Sequence, residues 1–460
     1  MSKNLEISGG GYLQSKLSTN RLLAFTGLVL FFGLAAIRLV VAFRFENLFV
    51  DERAAAGLVK AVITGSFPLD TPHLGLLYVV TVADFSTITF HGPAILWAAI
   101  FGYSAASLRV FVTLLTIAAL VLLGRAIAYW FGSRRSVWLA ATLIGFIIPW
   151  NFLQGMLFWA PTLIPVFLIS AFWAFSYLFN SNTSFRENDG CLHLQRNRVL
   201  ATIAKVVLPL ALIAAAYSYL PGAFPAVGLY VAFVWLLVKH RAISTKDIVL
   251  ILGGSVLVVL PYFGAIIFWP PLTHRAGIWA IWNLPTFGEQ LRAFISNIDS
   301  LFSLSNLFFF GDPNRRHFTG ALGGMLGFWA LIPLSSILVR WARRDLTNNQ
   351  RILILVSFIG IALSMLGAAL TVEGNPHSLR SGASWIFFSI LIALGYLNLF
   401  DNRNTRAGRI VFIIAIVVQV IATIYFLGHF FWYYLPNRHL FFDFQDTPGM
   451  FPYADYWNLR

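Results

Sequence analysis

Long apolar runs dominate the chain. Each continues for about twenty positions without the two-residue alternation of an amphipathic strand, and each ends in a short polar stretch. A helix needs about 20 mostly apolar residues to span a bilayer. Runs at 22–43, 105–131, 136–156, 159–179, 199–219, 222–238, 248–268, 319–340, 352–371, 383–400 and 409–429 predict about eleven such helices. The first is too long for the core of a signal peptide and no small-residue cleavage site follows it, so it is expected to remain as an anchor.

Composition narrows the class. Of 460 residues, 58% are hydrophobic and 11% charged, and the mean hydropathy is +0.77. A soluble domain carries about a quarter charged residues, so an ordinary globular enzyme is excluded. The fold class expected is an all-α polytopic membrane protein. The net charge of +14 could suggest nucleic acid, but the basic residues form no single patch. They lie in short runs between apolar segments, as the positive-inside rule requires of cytoplasmic loops. Counting loops alternately from a cytoplasmic N-terminus puts on one side Lys3, Lys16, Arg21, Arg125, Arg134, Arg135, Arg186, Arg196 and Arg198. The same side takes Lys239, Arg241, Lys246, Arg340, Arg343, Arg344, Arg351, Arg403, Arg406 and Arg409. Nineteen of the 32 Lys and Arg thus share one face.

The other face receives the long loops, about 44–104 and 269–318, with most of the acids, many aromatics, and the Gly and Pro. Residues 1–430 are expected to form the transmembrane domain, and 431–460 a short aromatic extracytoplasmic tail. Such an asymmetric protein, multi-pass in the inner (plasma) membrane, is expected to do its chemistry outside. The single Cys191 excludes a disulfide framework and any Cys-based zinc site. No internal repeat is evident, which argues against a transporter built from duplicated halves.

Four segments on that outer side carry chemistry. Asp51-Glu52-Arg53 follows the first span, and Ala54–Thr64 behind it has the helical apolar spacing of a segment lying along the membrane surface. Adjacent carboxylates beside a bilayer are costly unless solvated or paired, and acids there are functional candidates by default. One could act as general base toward a hydroxyl or amine; the plainer reading is a solvated loop with a local Asp–Arg pair. From His91 to Arg109, a His-Gly-Pro start breaks the preceding segment, and Arg109 stands at the head of the second span. There it could meet a lipid phosphate or snorkel to headgroups.

The third segment runs from Phe310 to His317 and contains Asp312, Arg316 and His317. The fourth, Glu373 to Ser381, contains Glu373, His377 and Arg380. Both put Arg and His where positive charge is otherwise scarce, and the guanidinium fork suits phosphate oxygens. Their plainer reading is a turn rich in Gly, Pro and Asn. No phosphate-cradling Walker loop, dinucleotide fingerprint or zinc-protease motif occurs. Asp51, Glu52 and a nearby His are of the type a divalent ion accepts, but no metal-ligand spacing enforces one, and no other cofactor is implied.

Taken in order, Asp51-Glu52, the His91-Gly92-Pro93 run through Phe101-Gly102, Ser104 and Leu108-Arg109, Pro149-Trp150-Asn151, Gly311-Asp312-Pro313-Asn314 with its Arg and His, and Glu373–Ser381 match a family. The chain resembles, over roughly 20–430, the bacterial branch of the dolichyl-phosphate-mannose protein mannosyltransferase superfamily. These are GT-C fold glycosyltransferases that include the lipid A aminoarabinose transferases. The resemblance implies a GT-C bundle with extracytoplasmic juxtamembrane helices and inverting transfer of a sugar from a polyprenyl-phosphate carrier at the extracytoplasmic face. It implies Asp51 as general base with Glu52 as its companion, and His91, Arg109, Arg316 and Arg380 as basic groups for the carrier phosphate. Asp312, His317, Glu373 and His377 are accessory candidates. Close relatives follow Pro-Trp-His with Ser-Arg and an acid; this chain reads Pro149-Trp150-Asn151-Phe152-Leu153-Gln154, with no acid in that connection.

The leading expectation is therefore a membrane glycosyltransferase. Its partners are a polyprenyl-phosphate-linked sugar donor, membrane lipids, and a glycan, lipid or protein acceptor, with no nucleic acid. The alternatives are a transporter or flippase, which would need charged residues along a midplane path, and a non-catalytic binder of polyprenyl-linked glycans.

Overall fold

A computed structural model describes residues 10–44, 50–66, 78–80, 85–131, 135–182, 197–249, 251–253, 255–256, 280–312, 324–372 and 376–437. Its elements, in chain order, begin with α1 (Gly10–Arg44), α2 (Val50–Ile63) and a short antiparallel hairpin of β1 (Tyr78–Val80) and β2 (Phe85–Thr87), in which Val79 faces Ser86. Then come α3 (Ile88–Phe101), α4 (Ala105–Tyr129), α5 (Arg135–Ile147), α6 (Pro149–Gln154), α7 (Ala160–Asn182), α8 (Arg198–Ser218) and α9 (Ala223–Lys239). The remainder comprises α10 (Phe287–Phe302), α11 (Leu331–Ala342), α12 (Asn348–Ala369), α13 (Ser384–Asp401) and α14 (Arg406–His429).

Seven described helices are long and apolar enough to cross a membrane: α1 from Phe25, α4, α7, α8, α12, and the stretches beginning with α13 and α14. Among the described residues the expected count of eleven is not confirmed, and three of the expected runs give shorter helices for physical reasons. The run at 136–156 breaks at Ile148, because Pro149 holds the residue before it in an extended conformation (ψ 120°) and opens the separate helix α6. The run at 319–340 yields α11, only 12 residues long, behind Gly327 with φ +84°. The run at 222–238 gives α9, of 17 residues. The span expected at 248–268 lies mostly outside the described residues.

At the core sits α13, whose residues from Ser384 to Leu399 are buried almost without interruption. Gly360 of α12 sits where any Cβ would run into the Phe387 ring, so the missing side chain is what lets α12 approach α13. On the other flank α7 packs between α4 and α8. Outward-facing Ile, Val and Phe on α1 and α14 supply the lipid-facing surface that membrane spans require.

Two contacts hold polar side chains near the described connections that carry Lys and Arg. There Lys205 pairs with Asp247 at 2.7 Å, and Arg340 Nη1 donates to Asn398 Oδ1 at 2.7 Å. At the opposite, distal end α8 and α12 finish beside the starts of α7 and α9, with Gly222 against Ile164 and Gly367 against Pro221. Helix α2 lies on that side, with the apolar stripe that its amphipathic spacing predicts turned onto protein. Ala55, Ala56, Leu58 and Val59 are buried, the first two and Val59 in a cluster with Phe90, Ala94, Phe111 and Phe158. Its apolar stripe is covered by protein.

Candidate active site

Glu52 lies in the first turn of α2, where a carboxylate also suits the positive end of the helix dipole. Its side chain is fully buried. Oε1 accepts from Arg109 Nε at 2.9 Å and from the Phe158 backbone N–H at 2.7 Å, while Oε2 accepts from Arg109 Nη2. A bidentate Arg–carboxylate pair with a further N–H donor compensates the desolvation of two buried charges. Three separate segments meet here: α2, α4, and the turn between α6 and α7. Tyr434, buried beyond the end of α14, lies within the field of both charges.

Arg109 reaches this junction from α4, the span at whose head the sequence places it. Arg109 is buried and its guanidinium is engaged by Glu52. Ser104 forms the N-cap of α4, its hydroxyl accepting from Ser107 N–H at 3.0 Å, so Arg109 falls one turn inside the helix. The plainer reading of Asp51-Glu52-Arg53 as a solvated loop is set aside, since the segment is helical. Asp51 belongs to α2, and its side chain lies outside the described residues.

A second junction joins the third and fourth motifs. Asp312 Oδ2 accepts the backbone N–H of Ser378 at 2.8 Å. Ser378 in turn offers its carbonyl to the Trp150 indole N–H at 2.9 Å and its hydroxyl to Gln154 Nε2 at 3.2 Å. Gly311, at φ +69°, makes the turn that presents Asp312. Pro149-Trp150-Asn151, Asp312 and the Pro376–Ser381 loop are thereby one unit. His377 and Arg380 are carried on that loop, with Arg380 buried and the Ser381 hydroxyl donating to the His377 carbonyl at 2.8 Å. Arg316, His317 and Glu373 lie outside the described residues, so this geometry does not place them.

Between the two junctions runs a narrow cleft lined by Thr116, Asn151, Gln154, Gly155, Thr162 and Trp385. The hydroxyl of Thr116, which lines it, and that of Thr113, one turn earlier in α4, are buried without a hydrogen-bond partner. They follow Arg109 on one face of α4 at the three- and four-residue spacings that align side chains. His91 differs from its expected setting. His91-Gly92-Pro93 does not break a segment but lies within α3. The imidazole is 2% exposed, packs edge-on against Phe90, and neither nitrogen has a partner. Burial pushes its pKa down to about 3, so it is neutral near pH 7.

Arg38 is a residue that the motifs missed. It lies inside α1, fully buried, and donates to the carbonyls of Phe146 at 3.0 Å and Asn151 at 3.3 Å, with the Phe146 and Phe152 rings each 5.2 Å away. It thus satisfies carbonyls freed where α5 gives way to α6 and fixes the segment bearing Trp150 and Gln154. The signal was present in the sequence: an Arg within an apolar span is expensive and marks a site. Among the described residues, no three His, Cys, Asp or Glu converge as metal ligands would.

No family model matches the sequence, and no curated protein resembles it at a significant level. Solved structures do. ArnT from Cupriavidus metallidurans bound to undecaprenyl phosphate aligns with a TM-score of 0.50 at 12% identity, covering 88% of this chain and 75% of that one. The Archaeoglobus fulgidus oligosaccharyltransferase in its apo form aligns with a TM-score of 0.50 at 15% identity, covering 86% of this chain. The present chain spans 55% of the length of that archaeal protein. At these identities the likeness is one of fold, and the chain has the GT-C fold of these glycosyltransferases.

Proposed function

We propose that this chain is a membrane glycosyltransferase of the inner (plasma) membrane. It moves a sugar from a polyprenyl-phosphate carrier to an extracytoplasmic acceptor, with inversion at the anomeric carbon. The observation that carries the reading is the convergence of sequence-distant motifs on the distal face of a GT-C fold. Undecaprenyl phosphate in the ArnT structure belongs to the carrier class proposed. A lipid-linked donor also suits a chain without a nucleotide-binding motif, because the prenyl chain partitions into the bilayer and presents its phosphosugar at the surface.

In this reading Asp51 is the catalytic base. It takes the proton of the acceptor hydroxyl or amine as that atom attacks the anomeric carbon, and the carbon–oxygen bond to phosphate breaks with its electron pair leaving on the phosphate. Arg316 and Arg380 stabilise that leaving charge. His91, neutral as placed, contributes at most one N–H to it. Glu52 and Arg109 act by position, locking α2 to α4 so that the residue beside Glu52 is held in place. Asp312 positions the loop that carries Arg380.

Purified protein in liposomes, supplied with polyprenyl-phosphate sugars and candidate acceptors, tests the reading. The expected result is release of free polyprenyl phosphate together with a product of inverted anomeric configuration. Donor that binds but is never consumed would assign a carrier-binding protein, and donor that crosses the bilayer intact would assign a flippase.

A further inference from the structure

Two turns at the end opposite the candidate site share one construction. Helix α9 stops at Lys239 and α11 at Ala342. After each, the chain closes back on the helix: Ala242 N–H donates to the Leu237 carbonyl at 2.8 Å, and Asp345 N–H to that of Arg340 at 3.1 Å. This closure puts one residue in the left-handed region, a place that Gly ordinarily fills. Here it is held by Arg241 (φ +51°) and Arg344 (φ +60°), and among the described residues no other non-glycine has a positive φ. A hydroxyl residue follows each arginine and exchanges bonds with a partner further on, Ser244 with Asp247 and Thr347 with Gln350. Arg241-Ala242-Ile243-Ser244 and Arg344-Asp345-Leu346-Thr347 are thus one local motif used twice.

Both turns come to the same end of the bundle. Helix α9 runs back along α12, with Gly228 against Leu363 and Pro221 against Gly367, so its last residues approach the start of α12. Arg344 lies in the connection that leads into that start, and Arg340, one turn earlier, bonds to Asn398 near the end of α13. Val227, Val231, Trp235 and Val238 share one face of α9 and are exposed along the flank of the spans α8 and α12. The stripe ends at Lys239, whose ammonium lies 4.6 Å from the centre of the Trp235 ring. In α11, Leu338 and Trp341 are exposed just before Arg343. Trp235 is 50% and Trp341 56% exposed, and Trp at the end of a lipid-facing stripe marks the headgroup level. Helix α9 has 17 residues, a length of about 25 Å against a hydrocarbon core of about 30 Å. So short a helix brings its last turn to the phosphate level instead of projecting past it.

We propose that each turn is a binding site for the phosphate of an anionic phospholipid, in the leaflet opposite the candidate site. Arg241 and Arg344 are exposed, and among the described residues neither guanidinium has a hydrogen-bond or ion-pair partner. The guanidinium fork matches two phosphate oxygens. Exposed Lys239 and Lys246 flank the first arginine, and exposed Arg343 and Arg351 the second. The neighbouring acids do not cancel this charge. Asp247 is engaged by Lys205 and Ser244, and Asp345 is one carboxylate among Arg343, Arg344 and Arg351. A general excess of Lys and Arg attracts an anionic surface without selecting positions. An arginine held where glycine is the lower-energy residue does select one. The occupant is lipid because each arginine follows an apolar, Trp-bearing helix surface, whereas a soluble anion would have no use for that surface. The inference does not depend on the proposed chemistry.

Glycine supplies the test, since it removes the guanidinium and suits the backbone. The full-length parent, Arg241→Gly, Arg344→Gly and the double variant are stripped of lipid in a neutral detergent. Each is titrated with phosphatidylglycerol, phosphatidylcholine or inorganic phosphate, with bound lipid counted by native mass spectrometry and stability read as the unfolding temperature. The parent should bind phosphatidylglycerol in preference to phosphatidylcholine and be stabilised by it, with no response to inorganic phosphate. One of the two sites should weaken about fivefold in each single variant, and both in the double variant. Without lipid, the glycine variants should unfold at the parent's temperature or above it. Unchanged phosphatidylglycerol binding by the double variant would overturn the proposal. So would equal stabilisation by inorganic phosphate, which would assign the turns to a soluble anion. A lower unfolding temperature of the lipid-free glycine variants would overturn it too, by making the arginines structural.

Discussion

Glu52 and Arg109 stand 57 positions apart and close on each other through two hydrogen bonds at a point that solvent does not reach. The Phe158 N–H completes the arrangement at 2.7 Å. One contact therefore fixes α2, α4 and the entry to α7 relative to one another, with Asp51 as the adjoining residue of α2.

Removing one partner leaves the other charge buried and uncompensated. Glu52→Gln or Arg109→Met alone is expected to lower stability by about 3–5 kcal/mol. The double variant should lose much less than the sum of the two. Thermal unfolding of all four proteins in detergent measures the coupling, and additive losses would mean that the pair does not act as a unit.

Asp312 should behave differently. Asp312→Ala orphans the Ser378 amide and is expected to cost about 1–3 kcal/mol, with donor KM raised through the loop bearing Arg380. Asp312→Asn retains an acceptor and should fall between that variant and the parent. Arg380→Ala should slow transfer by about one to two powers of ten, because a charge-assisted phosphate contact is worth about 1.5–3 kcal/mol.

His91 makes stability depend on pH. Its folded pKa, about 3, lies below the ordinary 6.5 because burial disfavours the imidazolium. The unfolded chain thus binds the proton first. Stability is fully present above about pH 6.5 and falls as the pH drops toward 3, by about 2 kcal/mol at pH 5. Unfolding temperatures at pH 7 and pH 5 should converge in His91→Gln relative to the parent, whereas parallel profiles would remove His91 as the cause.

Arg38→Lys keeps the charge but gives up the fork that reaches both Phe146 and Asn151. A loss of about 2 kcal/mol is expected. Donor turnover should fall as well, since Trp150 and Gln154 ride on the same break. Normal turnover in a destabilised variant would limit Arg38 to a packing role.

Much of the fold was readable before any coordinates. The long apolar runs that became α4, α7, α8, α12, α13 and α14 were placed within a few residues, because a 20-residue apolar stretch has few other uses. Pro149 and Gly327 shortened their neighbours through backbone geometry, which hydropathy ignores. In α2 the period showed which side was apolar but not that Phe90 and Phe158 would cover it. In α10 the capping box was legible at Thr286 and Glu289, but the loop length obscured it. Neither the Glu52–Arg109 pair nor the Asp312–Ser378 bond leaves a local trace, since each spans more than fifty residues.

The central claim is that the distal face transfers a sugar with Asp51 as base, and the rate of Asp51→Asn in the liposome assay addresses it most directly. The substitution keeps the side-chain volume and removes the proton acceptor. Turnover is expected to fall by about two to four powers of ten, with donor binding and unfolding temperature close to the parent. Turnover near that of the parent would contradict the account.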